Sequence, residues 1–317
     1  MAELERRRLG RTEIRTRALG LGCAFLGSPG KATEHEAVEA VRRAIELGID
    51  FVDTSAGYGN GESERRVGLA LTGGWRERVY LQTKAGMHPD RLFDYSAEVT
   101  RWSVENSLRL LKTDYLDAVL IHGYDECTRN HRCDPNEVLD PLAPGHMLDE
   151  LLRMKAEGLI RHVGIGARSH DVHRRAIETG QIEIVLSYLD YTLLTQSVAQ
   201  TTLPLARQHD VGVILASVLG MGLLAGPEPD PETDRRRNSD REPRAHAMWL
   251  WCRERGVNIR HLAMQFCLAA PLDGNGIVMA GPANKEEVED AYEAATAEVP
   301  AEVWREFGAE FGVGLET

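Results

Sequence analysis

The chain has 317 residues, of which 43% are hydrophobic and 27% are charged. This composition argues against a disordered chain and is sufficient for the core of one large α/β domain or two ordinary ones. The net charge of −12 argues against a nucleic-acid-binding surface, because contact with phosphates needs clustered Lys and Arg. The nearest basic cluster, Arg235, Arg236 and Arg237, is surrounded by acidic residues, and we interpret it as a solvated loop.

The beginning of the chain, MAELERRRLGRTEIRT, lacks the apolar segment of a signal peptide. No apolar run approaches the roughly 20 residues that span a bilayer. We therefore predict a cytoplasmic protein that binds no membrane. The five cysteines are an odd number without regular spacing, which is typical of reduced thiols. The sequence leaves open whether the protein is a monomer or a homodimer.

The first predicted element is a β-hairpin within residues 3–16 that turns at Leu9, Gly10 and Arg11. After it, short β-branched or apolar runs alternate with longer amphipathic segments. Eight of the short runs are predicted strands, at residues 17–22, 49–54, 78–84, 115–122, 161–166, 182–187, 211–217 and 276–280. Among the longer segments, helical spacing and capping residues predict helices at 34–48, 96–113 and 145–158.

Eight strands alternating with helices predict a closed (β/α)8 TIM barrel in a single domain, residues 1–317. No strand is followed by the G-x-G-x-x-G motif that an open dinucleotide-binding fold would normally carry. We expect the N-terminal hairpin to close the bottom of the barrel. The segment 225–244, rich in Pro, Asp and Arg, follows the seventh strand and is expected over the opposite mouth, either with a function or as a mobile surface loop.

Four polar residues lie at the carboxyl ends of three consecutive predicted strands. Asp53 and Tyr58 follow the second strand, Lys84 ends the third and His122 ends the fourth. Taken singly, each has an ordinary structural explanation, such as a helix cap, a turn or an ion pair. In a barrel, however, these strand ends meet at one mouth, so the set predicts an active site.

The chemistry of this set centres on the tyrosine, whose ordinary pKa of about 10 makes it a poor acid or base at neutral pH. The Lys84 ammonium would stabilise the phenolate of Tyr58 and lower its pKa towards the working range. Asp53 would keep a buried Lys84 charged and in position. His122 would donate a hydrogen bond to the substrate oxygen on which charge develops.

Motifs along nearly the whole chain accompany these residues. They are LGLG at 19–22, GIDFVDTSAGYGNGESERRVGLAL at 48–71, LQTKAG at 81–86, SLRLLKTDYLDAVLIHG at 107–123, KAEGLIRHVGIG at 155–166 and IVMAGPANKEEVEDA at 277–291. Together they resemble the aldo-keto reductase superfamily. The resemblance implies a (β/α)8 barrel that transfers hydride between a nicotinamide cofactor and a carbonyl or alcohol carbon. It also implies a catalytic tetrad of Asp53, Tyr58, Lys84 and His122, in which Tyr58 gives the proton in reduction and its phenolate takes it in oxidation.

The same resemblance implies contacts with the cofactor. The residues expected to make them are Gly22, Asp53, Ser187, Ser217, Leu219, Gly281, Ala283, Glu287 and Asp290. Many family members hold the nicotinamide carboxamide with a Ser-Asn pair after the fifth strand, where this chain has Gly166 and Ala167. The carboxamide is instead expected to bind Ser187, backbone groups, or Arg168 and Ser169.

The end of the site that would face the adenosine ribose favours NAD. Gly281 and Glu287 stand where NADPH-using members often place Lys and Arg, and Asp290 stands where the family has an adenine-contacting Glu. A carboxylate repels a 2′-phosphate and can accept hydrogen bonds from ribose hydroxyls. We therefore expect NAD as cofactor, with NADP as the alternative because Lys285 lies two residues from Glu287.

The stretch VLSYLDYTLL at 185–194 and the missing Ser-Asn pair resemble the sugar-oxidising branch of the family, the L-galactose and D-threo-aldose 1-dehydrogenases. This resemblance implies an oxidoreductase that oxidises the anomeric carbon of an aldopyranose to a lactone with NAD. Two alternatives stay open. One is an NADPH-dependent aldehyde or ketone reductase; the other is a non-catalytic, cofactor-sensing regulatory subunit, against which the intact tetrad argues.

A small-molecule substrate would bind at the barrel mouth. Its candidate contacts, each of which could instead pack the rim, are Phe25, Leu26, Met87, His88, Tyr124 and Asp125. The segment 122–133 also holds two His and two Cys, which could indicate zinc. Its spacing lacks the C-x2-C or H-x3-H pairs of tetrahedral sites, so we expect no metal.

Overall fold

A computed structural model describes residues 3–129, 134, 138–230 and 241–315. Its centre is a closed barrel of eight parallel strands that neighbour one another in chain order, and two short antiparallel pairs lie outside it. The strands in these ranges are β1 (Arg6–Arg8), β2 (Arg15–Arg17), β3 (Leu19–Gly22), β4 (Phe51–Asp53), β5 (Tyr80–Ala85), β6 (Met87–His88), β7 (Arg91–Leu92), β8 (Leu116–His122), β9 (Ile160–Ala167), β10 (Ile184–Tyr188), β11 (Gly212–Ala216) and β12 (Gly276–Ala280).

Helices surround the barrel. Those in the same ranges are α1 (Glu34–Glu46), α2 (Glu62–Ala70), α3 (Ala97–Leu111), α4 (Tyr124–Arg129), α5 (Met147–Ala156), α6 (His170–Glu178), α7 (Thr202–Gln208), α8 (Glu242–Glu254), α9 (Ile259–Leu268), α10 (Lys285–Thr296) and α11 (Ala301–Phe311), with short 3₁₀ turns at Arg76–Arg78, Ser197–Gln200 and Gly220–Gly222.

The predicted (β/α)8 barrel is confirmed, and all eight predicted barrel strands are present with small shifts at their ends. The sequence signal was strong because strands covered on both faces are apolar along their length. In β8, for example, every residue from Leu116 to Ile121 is buried. The parallel register pairs Asp53 with Gln82 and Lys84 with Leu120, so the carboxyl ends of β4, β5 and β8 lie side by side.

The N-terminal hairpin closes the bottom of the barrel, as predicted. β1 and β2 pair antiparallel, and two apolar side chains of the connecting loop, Leu9 and Ile14, are buried inside the barrel with Phe51. Gly10 has a φ of 60°, and a Cβ at this position would lie 2.3 Å from the backbone nitrogen of Gly212. Glycine is therefore required for the loop to approach β11 this closely.

The predicted helices are also present, and local capping explains where they begin. α1 starts at a capping box, in which the Thr33 side chain accepts from the Glu36 backbone and the Glu36 carboxylate accepts from the Thr33 backbone. α3 starts at Ser96, whose hydroxyl accepts from the backbone N–H of Val99. These caps satisfy N–H groups that have no partner within the helix.

The structure describes only part of the segment 225–244. Residues 231–240 of this segment, including the basic cluster Arg235, Arg236 and Arg237, lie outside the described residues. Its last three residues already belong to α8.

Free, buried thiols are found at Cys23, Cys252 and Cys267. Cys127 is disulfide-bonded, so the prediction of a reduced thiol is wrong there. Within the described ranges, no helix has the length and apolar character needed to cross a membrane.

Candidate active site

The four residues predicted to form an active site are brought together at the carboxyl ends of three neighbouring strands. Asp53 is the last residue of β4, Lys84 lies near the end of β5 and His122 is the last residue of β8. Tyr58 lies in the loop between β4 and α2, where its backbone N–H bonds to the carbonyl of Ser55. The parallel register explains this convergence, because it aligns the ends of consecutive strands at one mouth.

Lys84 is the centre of the group. Its side chain is 1% exposed, and its ammonium donates three hydrogen bonds: to Asp53 Oδ2 at 2.6 Å, to the Thr54 carbonyl oxygen at 2.9 Å and to Tyr58 Oη at 3.0 Å. Burial by itself would lower the pKa of Lys84, but the Asp53 carboxylate and the hydrogen bonds with Asp53 and Tyr58 outweigh it and raise the pKa. Lys84 is therefore charged at neutral pH, and each of its three ammonium protons is directed to a named acceptor.

Asp53 is held on both of its oxygens. Oδ2 accepts from Lys84, and Oδ1 accepts from Gln82 Nε2 at 2.7 Å. Asp53 is 2% exposed, so its carboxylate acts on the site through Lys84 and has no free oxygen for a cofactor. Sequence reasoning missed Gln82, although its place on β5, two residues before Lys84 and therefore on the same face of the strand, was readable from the period-2 pattern.

The protonation of Tyr58 differs from the sequence-based expectation. Burial raises the pKa of Tyr58; the Lys84 charge lowers it, but burial, together with the negative charges of Asp53 and Glu126, outweighs that effect. The pKa is therefore raised, where we expected it to be lowered. The expectation considered only the ammonium, whereas burial penalises the phenolate as well. The phenol is protonated at neutral pH, which is the form that donates a proton.

His122 is neutral and fixed in place. Burial, followed by the nearby charge of Lys84, holds the pKa of His122 well below its ordinary value. Its Nδ1 lies 3.0 Å from Ser55 Oγ, and its backbone carbonyl accepts from Tyr95 Oη at 2.9 Å. The imidazole and the Tyr58 ring meet edge to face, with centroids 5.8 Å apart. A neutral imidazole carries one N–H, which can stabilise charge on a substrate oxygen near Tyr58.

Small residues stand at the barrel mouth near Lys84, where the family resemblance implies a nicotinamide ring. A Cβ on Gly166 would lie 3.8 Å from Cδ of Lys84, in ordinary van der Waals contact with its side chain. Ala167 and Ala216, at the ends of β9 and β11, are also small. At the same strand ends, the Ser187 hydroxyl donates its proton to Asp190, which leaves its oxygen as an acceptor for a carboxamide N–H, and the Arg168 guanidinium has further N–H donors beyond the one directed to Asp190.

The loop that replaces the expected Ser-Asn pair is built differently. The Asp125 carboxylate accepts hydrogen bonds from the backbone N–H groups of Arg168 and Ser169, at 2.9 and 3.0 Å. Asp190 accepts from the Arg168 side chain at 3.4 Å and from the Ser187 hydroxyl at 3.3 Å. Two carboxylates therefore hold this loop and the end of β10, and sequence reasoning missed the part played by Asp190.

The residues predicted to face the ribose lie around the first turns of α10. Glu287 Oε2 accepts from the backbone N–H of Ala283 at 2.7 Å, and the Asn284 side chain caps the helix through the Glu287 N–H. Asp290 pairs with Arg260 of α9 at 2.5 Å. The sequence around Asp290 did not predict its ion pair with Arg260, because Arg260 lies on α9 and the strand β12 separates α9 from α10.

The other predicted cofactor residues lie along the same side of the mouth. A Cβ on Gly281 would lie 3.6 Å from the Gly22 carbonyl oxygen and 3.8 Å from the Phe25 ring, so the first and last barrel strands meet there. Ser217 has a φ of 56°, and Leu219 precedes the turn Gly220–Gly222. Phe25, expected to touch substrate, is therefore closer to the predicted cofactor positions.

Three predicted substrate contacts are corrected by the structure. Leu26 is fully buried in the hydrophobic core, which leaves no surface for a ligand. His88 packs against Trp102, with ring centroids 4.4 Å apart, and its Nε2 lies 3.3 Å from Asn106 Nδ2 on α3, outside the barrel. Asp125 is 4% exposed because it holds the backbone after β9.

Tyr124 and Met87 stay near the four central residues. Tyr124 meets the Tyr95 ring edge to face at 5.7 Å, and Tyr95 in turn bonds to the His122 carbonyl. The Met87 side chain lies against Gly123, the residue after His122. The described residues contain no group of three His, Cys, Asp or Glu side chains that could hold a metal; His131 and Cys133 of the segment 122–133 lie outside the described residues.

The barrel and its four converging polar residues define an oxidoreductase of the (β/α)8 class. The sequence matches the aldo/keto reductase family over residues 18–309, and the chain belongs to that family. It is an NAD(P)-dependent oxidoreductase.

Two relatives are sugar dehydrogenases. The chain is 32% identical to L-galactose dehydrogenase from Arabidopsis thaliana, over 93% of this chain and 89% of the relative. It is 29% identical to D-threo-aldose 1-dehydrogenase from Pseudomonas sp, over 91% of this chain and 92% of the relative.

Solved structures share the fold. Aldo-keto reductase AKR11C1 from Bacillus halodurans, in its holo form, has a TM-score of 0.74 at 24% identity, covering 98% of this chain and 96% of that one. An aldo-keto reductase from Klebsiella pneumoniae in complex with NADPH has a TM-score of 0.69 at 21% identity, with the same coverage of 98% and 96%. At these identities the likeness concerns the fold alone.

Proposed function

We propose that this protein is an NAD-dependent aldose 1-dehydrogenase that oxidises C1 of an aldopyranose to a lactone. The observation that carries the proposal is the hydrogen bond from Lys84 Nζ to Tyr58 Oη at 3.0 Å, within a buried ion pair with Asp53. It gives the phenol a partner that stabilises its deprotonated form. The two sugar dehydrogenases among the relatives support C1 of a sugar as the reacting carbon.

In the oxidative direction, the Tyr58 phenolate accepts the proton of the C1 hydroxyl. Lys84 stabilises the phenolate before the transfer, and its own charge is maintained by Asp53. The imidazole of His122 donates a hydrogen bond to the same substrate oxygen and so orients C1. A bound nicotinamide supplies the acceptor for the hydride. In reduction, Tyr58 returns the proton to the carbonyl oxygen.

The residues proposed to hold the cofactor fall at its two ends. Ser187, Ser217 and Arg168 would hold the carboxamide end, and the first turn of α10 the ribose end. At the ribose end, Glu287 places a carboxylate at the beginning of α10, hydrogen-bonded to the Ala283 N–H. The Glu287 carboxylate takes up the Ala283 N–H, a donor that a 2′-phosphate on the ribose could otherwise use. Its negative charge would also repel that phosphate, so we propose NAD as the cofactor.

The proposed sugar site is polar on the side of β10. The Tyr188 hydroxyl donates to Glu126 Oε1 at 3.0 Å, and the charge of Glu126 makes a small addition to the rise in the pKa of Tyr58 that burial causes. A carboxylate and a phenol at this position can bind sugar hydroxyls, which need partners when they lose water. Tyr124 would provide an aromatic contact with the sugar ring.

An NADPH-dependent aldehyde or ketone reductase is the second candidate. Two cations near the ribose end favour it: Lys285 begins α10, and Arg260 lies 2.5 Å from Asp290. A non-catalytic, cofactor-sensing regulatory subunit is a third possibility from another class. We also propose that the protein is cytoplasmic, that it is a monomer or a homodimer, and that its substrate is a small molecule.

A substrate screen separates these functions. Purified protein is mixed with a panel of aldoses and NAD or NADP, and with a panel of aldehydes and NADH or NADPH, while absorbance of the reduced cofactor is followed. Formation of NADH together with a lactone product supports the dehydrogenase. Faster turnover of aldehydes with NADPH supports the reductase, and cofactor binding without any hydride transfer supports the regulatory subunit.

A further inference from the structure

Ser55 lies between the backbone of the Tyr58 loop and the imidazole of His122. It is fully buried, and its hydroxyl oxygen accepts a hydrogen bond from the Gly57 backbone N–H at 3.2 Å. The same oxygen lies 3.0 Å from His122 Nδ1. The sequence offered no reason to assign a role to Ser55, because a serine in a turn has no distinctive pattern.

The protons of this contact can be assigned by counting donors and acceptors. The Gly57 N–H can only donate, so it uses one lone pair of Ser55 Oγ. Among the described residues, His122 Nδ1 is the one acceptor within hydrogen-bond distance of the Ser55 hydroxyl proton. Buried hydroxyls make their hydrogen bonds, so Ser55 donates and Nδ1 accepts. The opposite arrangement would leave the buried hydroxyl proton without a partner.

The neutral ring then has only one place for its proton. Burial and Lys84 hold the pKa of His122 well below its ordinary value, so the imidazole carries a single N–H at neutral pH. With Nδ1 accepting from Ser55, that proton lies on Nε2. In the part of the chain that the structure describes, Nε2 makes no hydrogen bond, so its N–H remains for a ligand.

We propose that Ser55 is a positioning residue that selects the Nε2–H tautomer of His122. Its hydrogen bond gives the ring a donor that faces the substrate oxygen instead of an acceptor, which would repel that oxygen. The consequence for catalysis rests on the proposed function, whereas the tautomer itself does not. Ser55 acts through His122 and is not proposed to contact substrate or cofactor.

The tautomer is measured directly by long-range ¹H–¹⁵N correlation spectra of ¹⁵N-histidine-labelled protein at neutral pH. The His122 signals are identified by their loss in His122→Asn. We expect a protonated Nε2 and an unprotonated Nδ1 in the unaltered chain. In Ser55→Ala, Nδ1 loses its donor, and we expect the Nδ1–H form to gain population; Ser55→Thr, which keeps a hydroxyl, should restore the original spectrum.

Ser63→Ala is the matched control. Ser63 is as fully buried as Ser55, but its hydroxyl donates to the Cys23 carbonyl at 2.7 Å and does not contact His122. This variant should leave the His122 spectrum unchanged. A protonated Nδ1 in the unaltered chain, or an unchanged tautomer in Ser55→Ala, overturns the inference whether or not that chain turns over a sugar.

Kinetics test the catalytic consequence separately. Ser55→Ala should lower kcat about five- to tenfold, the effect of weakening one hydrogen bond to the substrate oxygen, with little change in cofactor affinity. Ser55→Thr should recover most of kcat. If no aldose or aldehyde is turned over, the proposed function fails, while the spectra still decide the inference about Ser55. A kcat equal to that of the unaltered chain, alongside a changed tautomer, overturns the catalytic part alone.

Discussion

The ammonium of Lys84 donates a hydrogen bond of 3.0 Å to the phenolic oxygen of Tyr58. The two side chains come from different elements, a barrel strand and the loop after the preceding strand, and Asp53 holds the ammonium from the other side at 2.6 Å. This relationship connects a group with high proton affinity to a buried positive charge.

Replacing Tyr58 by Phe should lower kcat by about 10²- to 10⁴-fold, because it removes the group that exchanges the substrate proton. Cofactor affinity, measured by fluorescence titration with NADH, should stay within about twofold, since one hydroxyl is lost at the reacting end of the site. Tyr124→Phe is the matched control, because this tyrosine lies nearby without contacting Lys84, and it should retain most activity. Retention of most activity in Tyr58→Phe would refute the assignment.

The oxidation rate should rise with pH by about tenfold per unit across the neutral range, because oxidation uses the phenolate of Tyr58. Burial raises the pKa of Tyr58, so the phenolate is a minor form at neutral pH and grows as pH rises. Reduction uses the protonated phenol and should stay nearly constant until alkaline pH. Single-turnover formation and consumption of NADH at several pH values measure the two directions. A flat profile for oxidation would show that another group takes the proton.

Replacing Asp53 by Asn should destabilise the protein by about 3 to 5 kcal/mol, because it leaves the Lys84 charge buried without its carboxylate partner. Urea unfolding followed by circular dichroism gives the change in the free energy of unfolding. The matched control is Glu46→Gln, which removes an exposed ion pair with Arg43 and should cost less than about 1 kcal/mol. An Asp53 variant as stable as the unaltered chain would mean that Lys84 does not need this partner to remain charged.

Replacing Glu287 by Arg should shift the ratio of kcat/KM for NADP over NAD by about tenfold or more. The substitution exchanges a carboxylate for a guanidinium at the beginning of α10, where the proposal places the 2′ position of the ribose. Glu286→Arg makes the same charge change one residue earlier in the same turn and serves as control. Equal effects of both variants would indicate a general charge effect, and no change in the ratio would show that Glu287 does not face the ribose.

Replacing Gly10 by Ala should destabilise the fold by about 2 kcal/mol or more, because a Cβ would lie 2.3 Å from the Gly212 nitrogen and the φ of 60° adds strain. Gly30→Ala is the matched control, with a φ of 72° and no atom within 4 Å of the added Cβ. It should cost about 1 kcal/mol. Thermal unfolding of both variants isolates the contribution of the close contact between the hairpin loop and β11.

Most of the architecture could be predicted from local sequence. Buried parallel strands are apolar on both faces, and helices carry their own caps, so the barrel strands and α1 were recognisable one element at a time. The four central residues could be predicted as well, because parallel strands in a barrel necessarily end at one mouth. Asp53, Lys84 and His122 each stand at the end of a strand, so their order along the chain already implied that they meet.

The direction of individual side chains could not be predicted in the same way. His88 and Asp125 each follow a barrel strand within a few residues, yet one packs on α3 and the other binds the backbone after β9. Arg260 and Asp290 form an ion pair between two helices that no short motif connects. Such contacts depend on the rotation of helices and the path of loops, which are set by packing between distant segments.

The sequence by itself determined the barrel, the chemical types gathered at its mouth and the order in which strands deliver them. Only the tertiary structure decided how those groups are protonated. The sequence predicted an ammonium, Lys84, beside Tyr58 and therefore a lowered pKa for Tyr58. In the structure, burial, Asp53 and Glu126 raise that pKa instead. The buried hydroxyl of Ser55 beside His122 is likewise a product of packing. Protonation depends on the summed distance and solvation of all neighbours, and these exist only after the chain has folded.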